Sequence, residues 1–167
     1  MKTLTDAPDA ANVDLAHAKS TKVEALRRLK GPKPWSKKLL RLSPVETTTY
    51  RVPALLMSMK REGDSDIHLV IADPEVGGSM IAEFPAAACT TGASSEARGL
   101  MKQARDAIVS ACAGEPSTKF VTLTGSATIT GVGFFDKVHR QGGVAPNGVE
   151  LHPVIAFESS DCKRIKP

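Results

Sequence analysis

The order of apolar segments is the feature that most limits how this chain can fold. Five segments carry the apolar alternation of strands, and turn residues bound them. They cover about residues 50–59, 66–72, 79–84, 118–135 and 150–157. A helical pattern begins at Ser94 or Ser95, after the third segment, and ends before Gly114. The predicted order is therefore strand, strand, strand, helix, strand, strand.

This order is typical of a five-stranded OB-type barrel with its helix between strands three and four. Closing the sheet removes exposed strand edges, and Gly125, Gly131 and Gly133 permit the bends that a small barrel needs. An open α+β sheet with the helix on one face has the same element order, and it stays as the alternative. The prediction is a mainly β barrel with some α structure.

Charge divides the chain into a basic region and a slightly acidic body. From Lys19 to Val45 there are nine basic residues and one acid, whereas twelve basic residues and fourteen acids follow from Glu46 onward. A capping box, Thr21 to Glu24, predicts a short basic amphipathic helix over about 21–30. The predicted organisation is a disordered arm (1–19), a basic helix and linker (20–45), a barrel domain (46–158) and a basic tail (159–167).

The basic region suggests an anionic partner, nucleic acid above all. Its candidate nucleic-acid contacts are Arg27, Arg28, Lys30, Lys37 and Lys38. A solvated helix without a ligand is the alternative. No apolar run approaches the ~18 residues of a transmembrane helix. The absence of a visible signal peptide favours the cytoplasm, although a mature secreted protein would look the same.

The three cysteines do not have the spacing of a zinc site. An odd number of cysteines in a chain without a signal peptide favours free, mostly buried thiols. If the protein is exported, we expect one disulfide, between Cys89 and Cys162.

Chemistry is predicted around residues 131–154, where acids, histidines and an arginine lie beside a Gly-rich turn. The candidate catalytic residues are His139, Arg140, Asp136 and Glu83. The candidate metal ligands are Asp66, His68, Glu150 and His152. Carboxylates and imidazoles together suit a divalent ion such as zinc or manganese, which could polarise a phosphoryl oxygen.

Two alternatives need no metal. His139 or His152 could transfer protons beside Asp136 or Glu150, because histidine titrates near neutral pH. The same side chains could instead form hydrogen bonds that only fix the loop 136–150.

The body from Tyr50 to Phe157 resembles a bacterial family of small proteins that has no assigned activity. Its marks here are Asp64-Ser-Asp-Ile-His-Leu-Val70, Met80-Ile-Ala-Glu-Phe-Pro85, Gly133-Phe-Phe-Asp136 with His139, and Ala145-Pro-Asn-Gly-Val-Glu-Leu-His-Pro-Val154. Family members usually have Gly where this chain has Arg140. The resemblance implies membership and no particular function.

Element order and spacing also resemble staphylococcal-nuclease-type OB barrels. The acids of that family's first hairpin would correspond to Asp64 and Asp66, its acid after strand three to Glu83, and its later arginine to Arg140. This chain departs from the pattern at Ala86-Ala87, where the family has Glu after Pro, and its third strand has no Arg.

Together these features predict a phosphodiesterase, nuclease-like or nucleic-acid-binding OB protein with an Asp, Glu, His and Arg site at the barrel mouth. The alternative is a binding or interaction module without catalysis, in which those residues are scaffold and the basic helix makes the contact.

Overall fold

The computed structural model describes residues 1–33, 40–138 and 142–165. In these ranges the strands are β1 (Asp14–Ser20), β2 (Thr48–Arg61), β3 (Ile67–Ala72), β4 (Ser79–Phe84), β5 (Val121–Thr124), β6 (Ser126–Phe135), β7 (Val149–Glu158) and β8 (Lys163–Arg164). The α-helices are α1 (Val23–Arg27) and α2 (Ser95–Ala111), and short 3₁₀ helices cover Asp9–Asn12, Val45–Thr47 and Ala87–Thr90.

Five of the strands close into a barrel. Their order around it is β2, β3, β4, β7, β6 and back to β2, and β2 pairs with both β3 and β6. Neighbours are antiparallel except β4 and β7, which run parallel. The predicted mainly β, OB-like barrel is confirmed, and closure by the β2–β3 pairing excludes the open sheet.

Alternate apolar side chains of the strands fill the barrel. Ile67, Leu69 and Ile71 of β3 point inward and are fully buried, as are Met80 and Phe84 of β4. Successive side chains of a strand face opposite sides, so the residues between them face outward. The interior is thus apolar, and polar side chains of β3, β4 and β7 share the outer surface.

Helix α2 follows β4 and packs on β7 and β4. The Ser94 hydroxyl caps it by accepting a hydrogen bond from the amide of Ala97 at 3.1 Å, as the sequence predicts. Ala104 and Ile108 join the main core, while Ala97 and Met101 join a second cluster outside the barrel. No helix among the described residues is both long and apolar enough to cross a membrane.

The N-terminal segment differs from the predicted disordered arm. β1 pairs with β2 in parallel, and Leu4 is buried against α2 and the outer face of β6 and β7. The buried Arg41 holds this segment, because its guanidinium donates to the Met1 carbonyl at 2.6 Å and to the Asp6 carboxylate at 2.8 Å. The arm is therefore part of the packed body.

The basic helix is shorter than predicted. α1 buries Val23 and Leu26 in the main core, so its amphipathic character is confirmed. The capping box is wrong: Lys22 is the N-cap and its side chain makes no capping bond, while the Asp73 carboxylate accepts a hydrogen bond from the Glu24 amide at 3.0 Å. The Asn147 side chain binds the C-terminal end of α1 by donating to the carbonyls of Leu26 and Leu29, each at 2.9 Å.

The C-terminal segment also packs on the body. Gly125, with a φ of 105°, separates β5 from β6, and β5 pairs with β8. A disulfide joins Cys112, at the end of α2, to Cys162, and Cys89 is a free thiol. The favoured expectation of free thiols is therefore wrong for Cys112 and Cys162. The pairing of Cys89 with Cys162, expected of an exported protein, is also wrong, because α2 ends beside β8, whereas Cys89 lies in the segment before that helix.

The disulfide should contribute strongly to stability. Replacing Cys162 by Ser (Cys162→Ser) opens a link across 50 residues, and loop-closure entropy predicts a loss of about 4 kcal/mol in the free energy of unfolding. Chemical denaturation of the oxidised protein measures this loss. Cys89→Ser, which removes the free thiol, is the matched control and should change stability little. Equal stabilities of wild type and Cys162→Ser would contradict the pairing.

Candidate functional site

The polar residues predicted from sequence lie together on the outer face of β3, β4 and β7. Asp66 precedes β3, and His68 lies within it, opposite Glu83 of β4. β7 runs beside β4 and supplies Glu150 and His152. All five side chains are buried. They meet on the barrel wall, between the β2–β3 turn and the N-terminal segment, and not at its mouth.

His68 lies between two carboxylates and a backbone carbonyl. Its Nδ1 lies 2.8 Å from Glu83 Oε1 and 3.3 Å from Glu62 Oε1, although without hydrogen-bond geometry, and its Nε2 lies 3.0 Å from the Gly142 carbonyl. Both ring nitrogens therefore face oxygen atoms, which favours the imidazolium. Burial lowers the pKa of His68, but the hydrogen bond and charge of Glu83, with help from Gly142 and Glu62, outweigh burial and raise it.

His152 has a different environment. Its Nδ1 lies 3.2 Å from Glu150 Oε1, so that nitrogen carries a proton toward the carboxylate. Its Nε2 is buried, has no hydrogen-bond partner in the described part of the chain, and lies 3.9 Å from Asp66 Oδ2. The ring is 6.4 Å from that of Phe134, centroid to centroid. The neutral imidazole would present the Nε2 lone pair to the space beside Asp66.

The N-terminal segment adds a cation that sequence reasoning missed. Lys2 Nζ lies 2.7 Å from Asp136 Oδ2 and 3.2 Å from Glu150 Oε1, the oxygen that also faces His152. Burial opposes the charge of Lys2, but Glu150 and Asp136 outweigh it and raise the lysine pKa. Lys2 thus ties the arm to two predicted site residues.

A cavity of about 360 Å³ opens among these groups. It is lined by Lys2, Thr3, Glu62, Gly63, Asp64, Asp66, Glu83, Cys89 and His152. Four of these are carboxylates, and the cavity is therefore acidic. Burial and the nearby Asp66 raise the pKa of the Cys89 thiol, so this cysteine is not an activated thiolate.

Two of the carboxyl groups hold protons more tightly than usual. Burial raises the pKa of Asp66, although the Ala86 amide donates to its Oδ1 at 2.7 Å and opposes the shift. Burial also raises the pKa of Glu83, against the opposing effect of His68. A carboxyl group with a raised pKa can act as a proton donor nearer neutral pH.

The structure therefore brings together six of the residues singled out from sequence. They are Asp66, His68, Glu83, Asp136, Glu150 and His152. His139 and Arg140 lie outside the described residues. Sequence reasoning gave no role to Lys2, Thr3 or Glu62, because they join the site through the packing of the arm and the β2–β3 turn, which no periodicity indicates.

The predicted nucleic-acid contacts are only partly available. Arg27 turns inward, lies 3.3 Å from Glu24 and donates to the Ser79 carbonyl. Arg28 also binds Glu24, at 2.8 Å, but its side chain is 77% exposed, and Lys30 is exposed as well. Lys37 and Lys38 lie outside the described residues.

The predicted metal ligands are close neighbours but are engaged with one another. Within residues 1–33, 40–138 and 142–165, no three His, Cys, Asp or Glu side chains are arranged to share one ion. A divalent ion at Asp66, His68, Glu150 and His152 stays a prediction, and it would require His68 to leave Glu83.

The structural similarity of this chain to known proteins is distant. No protein-family model and no curated protein sequence match the chain. The fold is similar to part of a crystal structure from Leishmania major Friedlin, of a protein provisionally identified as an aspartyl-tRNA synthetase. The TM-score is 0.49 at 11% identity, over 89% of this chain and 22% of that one. We base no assignment of function on this similarity.

The His68–Glu83 pair should make stability depend on pH. Because the pKa of His68 is raised above its ordinary 6.5, the pairing stabilises the fold fully below that pH and is lost as the pH rises through the raised value. Glu83→Gln leaves a buried histidine without its carboxylate, so we expect a loss of about 3 kcal/mol near pH 6 that shrinks toward alkaline pH.

Urea denaturation across a pH series measures this loss, and proton NMR follows the His68 titration. Glu62→Gln is the matched control, because its carboxylate lies farther from the same nitrogen and is less buried. Its effect should be smaller. A Glu83→Gln loss that does not change with pH would contradict a raised His68 pKa.

Proposed function

We propose that this chain is a hydrolase in which His152 is the general base and Glu150 orients it. One observation carries the proposal: a buried histidine beside a cavity, whose Nδ1 faces a buried carboxylate and whose Nε2 has no hydrogen-bond partner within residues 1–33, 40–138 and 142–165. A buried polar atom without a hydrogen-bond partner lowers the stability of the fold. Such a cost is tolerated where the atom has a function. In this arrangement Nε2 takes a proton from an attacking water.

Asp66 supports the proposal as the complementary acid. Its Oδ1 accepts from the Ala86 amide, while its Oδ2 lies 3.9 Å from His152 Nε2. Since burial raises its pKa, Asp66 can hold a proton and deliver it to a leaving group. A base and an acid in one cavity are the pair that hydrolysis requires.

The position of the cavity supports a phosphodiester substrate, with nucleic acid as the leading candidate. OB barrels bind oligonucleotides and oligosaccharides on the outer face of their second and third strands, between the loops that follow strands one and four. Here these strands are β3 and β4, and Gly142 in the loop after β6 already contacts His68. Because the cavity is acidic, a polyanion would require a divalent cation to offset the carboxylates.

The alternative of a binding module has its own support. His68, Asp66 and Asn147 all have partners that fix loops: Gly142, Ala86 and the end of α1 respectively. These contacts explain most of the polar network without chemistry. Among the described residues they leave both His152 Nε2 and His68 Nδ1 without a hydrogen-bond partner, but of these two histidines it is His152 that lines the cavity.

Activity measurements test the proposal. Purified protein is incubated with labelled single-stranded DNA and RNA and with a chromogenic phosphodiester, with magnesium, manganese or zinc and with chelator. We expect hydrolysis that chelation lowers. His152→Gln should reduce kcat/KM by about 10²–10⁴-fold, the usual contribution of a general base. His17→Gln is the matched control, because His17 is exposed and pairs only with Asp14.

Two outcomes would decide against the enzyme. The first is wild type that cleaves no substrate under any metal, and the second is His152→Gln with full activity. If nucleic acid nevertheless binds, and the double variant Arg28→Gln/Lys30→Gln abolishes binding while His152→Gln does not, the binding module is the better description.

A further inference from the structure

A second cavity lies between α2 and the segment that follows β4. Its volume is about 250 Å³, and none of its lining residues belongs to the cavity of His152. Pro85, Ala87 and Met101 give it apolar walls, and Thr90 and Thr91 complete them. Because Pro85 and Met101 are buried, the walls are part of the packed body. We call this cavity the α2 cleft.

Three cations form the rim of the α2 cleft. Arg98, Lys102 and Arg105 follow one another at spacings of four and three residues, so they share one face of the helix. Among the residues that the structure describes, no acidic side chain lines the cleft. Its rim is thus basic, whereas the cavity of His152 is acidic.

These cations differ in what they already bind. Arg105 donates to the Phe84 carbonyl at 3.0 Å and to Glu115 at 3.2 Å, and Lys102 lies 2.5 Å from Asp106. In the part of the chain that the structure describes, Arg98 has no ion pair or hydrogen bond through its side chain. The exposed Arg98 guanidinium therefore lies beside apolar walls and is available to bind an anion.

We propose that the α2 cleft binds a small amphipathic anion: a carboxylate on a short hydrocarbon tail. The apolar walls bury the tail and remove its methylene groups from water, which favours binding. The Arg98 guanidinium binds the carboxylate, since its planar fork matches the two oxygens. The cleft lies just below the usual volume of small-molecule sites, roughly 300 Å³ and upward, so the ligand is small.

The test is an NMR titration of the full chain with three probes: octanoate, octanol and acetate. Octanol keeps the tail without the charge, and acetate keeps the charge without the tail. We expect octanoate to bind most tightly and to shift the amides of Ala87, Thr90 and Met101. Acetate should cause no saturable shift there.

Two variants separate the contribution of the ligand's carboxylate from that of its hydrocarbon tail. Arg98→Gln should lower the affinity for octanoate about fivefold, which is the scale of one exposed ion pair. The affinity for octanol should not change. Ala87→Leu, at an exposed wall position, should weaken both by filling the cleft. Arg28→Gln, on α1, is the control and should change neither.

The proposal is overturned if octanoate shifts residues elsewhere, or if Arg98→Gln binds octanoate as wild type does. It is also overturned if no saturable shift appears. Since the two cavities share no residues, these outcomes are independent of whether the chain is a hydrolase.

Discussion

Closure of the barrel is the constraint on which the rest of the structure depends. Because β2 pairs with both β3 and β6, β4 must lie beside β7, although 64 residues separate the end of β4 from the start of β7. Apolar residues fill the interior, so the alternate positions of these strands must face outward. Glu83 and His152 become neighbours for this reason, and not through any attraction between them.

Burial then determines how the polar row behaves. The arm, the β2–β3 turn and Gly142 cover the outer face, which removes carboxylates and imidazoles from water. Desolvated charges are costly unless they are paired. Lys2 therefore lies between Asp136 and Glu150, and Glu83 lies against His68. The packing of the N-terminal segment on the barrel places the positive charge of Lys2 beside these buried carboxylates and so compensates part of their charge.

The success of sequence reasoning follows the same physics. The barrel strands were predictable because burial on one face leaves period-2 alternation, and α2 because its stripe and Ser94 cap are local signals. β1 was not predictable from the sequence, because nearly all of Asp14–Ser20 is exposed and its parallel partner β2 lies far away in the sequence. The partner of Cys162 was also not predictable, since it depends on where α2 ends relative to β8. Predicting that the site residues converge also requires knowing how the strands pack. The hypothesis of a closed barrel was the part of the sequence analysis that supplied this.

The two histidines show why a motif alone does not define a role. Asp66 and His68 have the same acid-x-His spacing as Glu150 and His152, and all four face outward. Yet His68 binds the Gly142 carbonyl through Nε2, and its Nδ1 lies 2.8 Å from Glu83, although without the geometry of a hydrogen bond. His152 faces Glu150 through Nδ1, and among the described residues its Nε2 has no hydrogen-bond partner and lies 3.9 Å from Asp66. A histidine with one nitrogen fixed and the other open can exchange a proton with a ligand, and one with both nitrogens engaged cannot do so without breaking the fold around it. In the proposed hydrolase the base is therefore His152, which lines the cavity, while His68 holds the loop at Gly142.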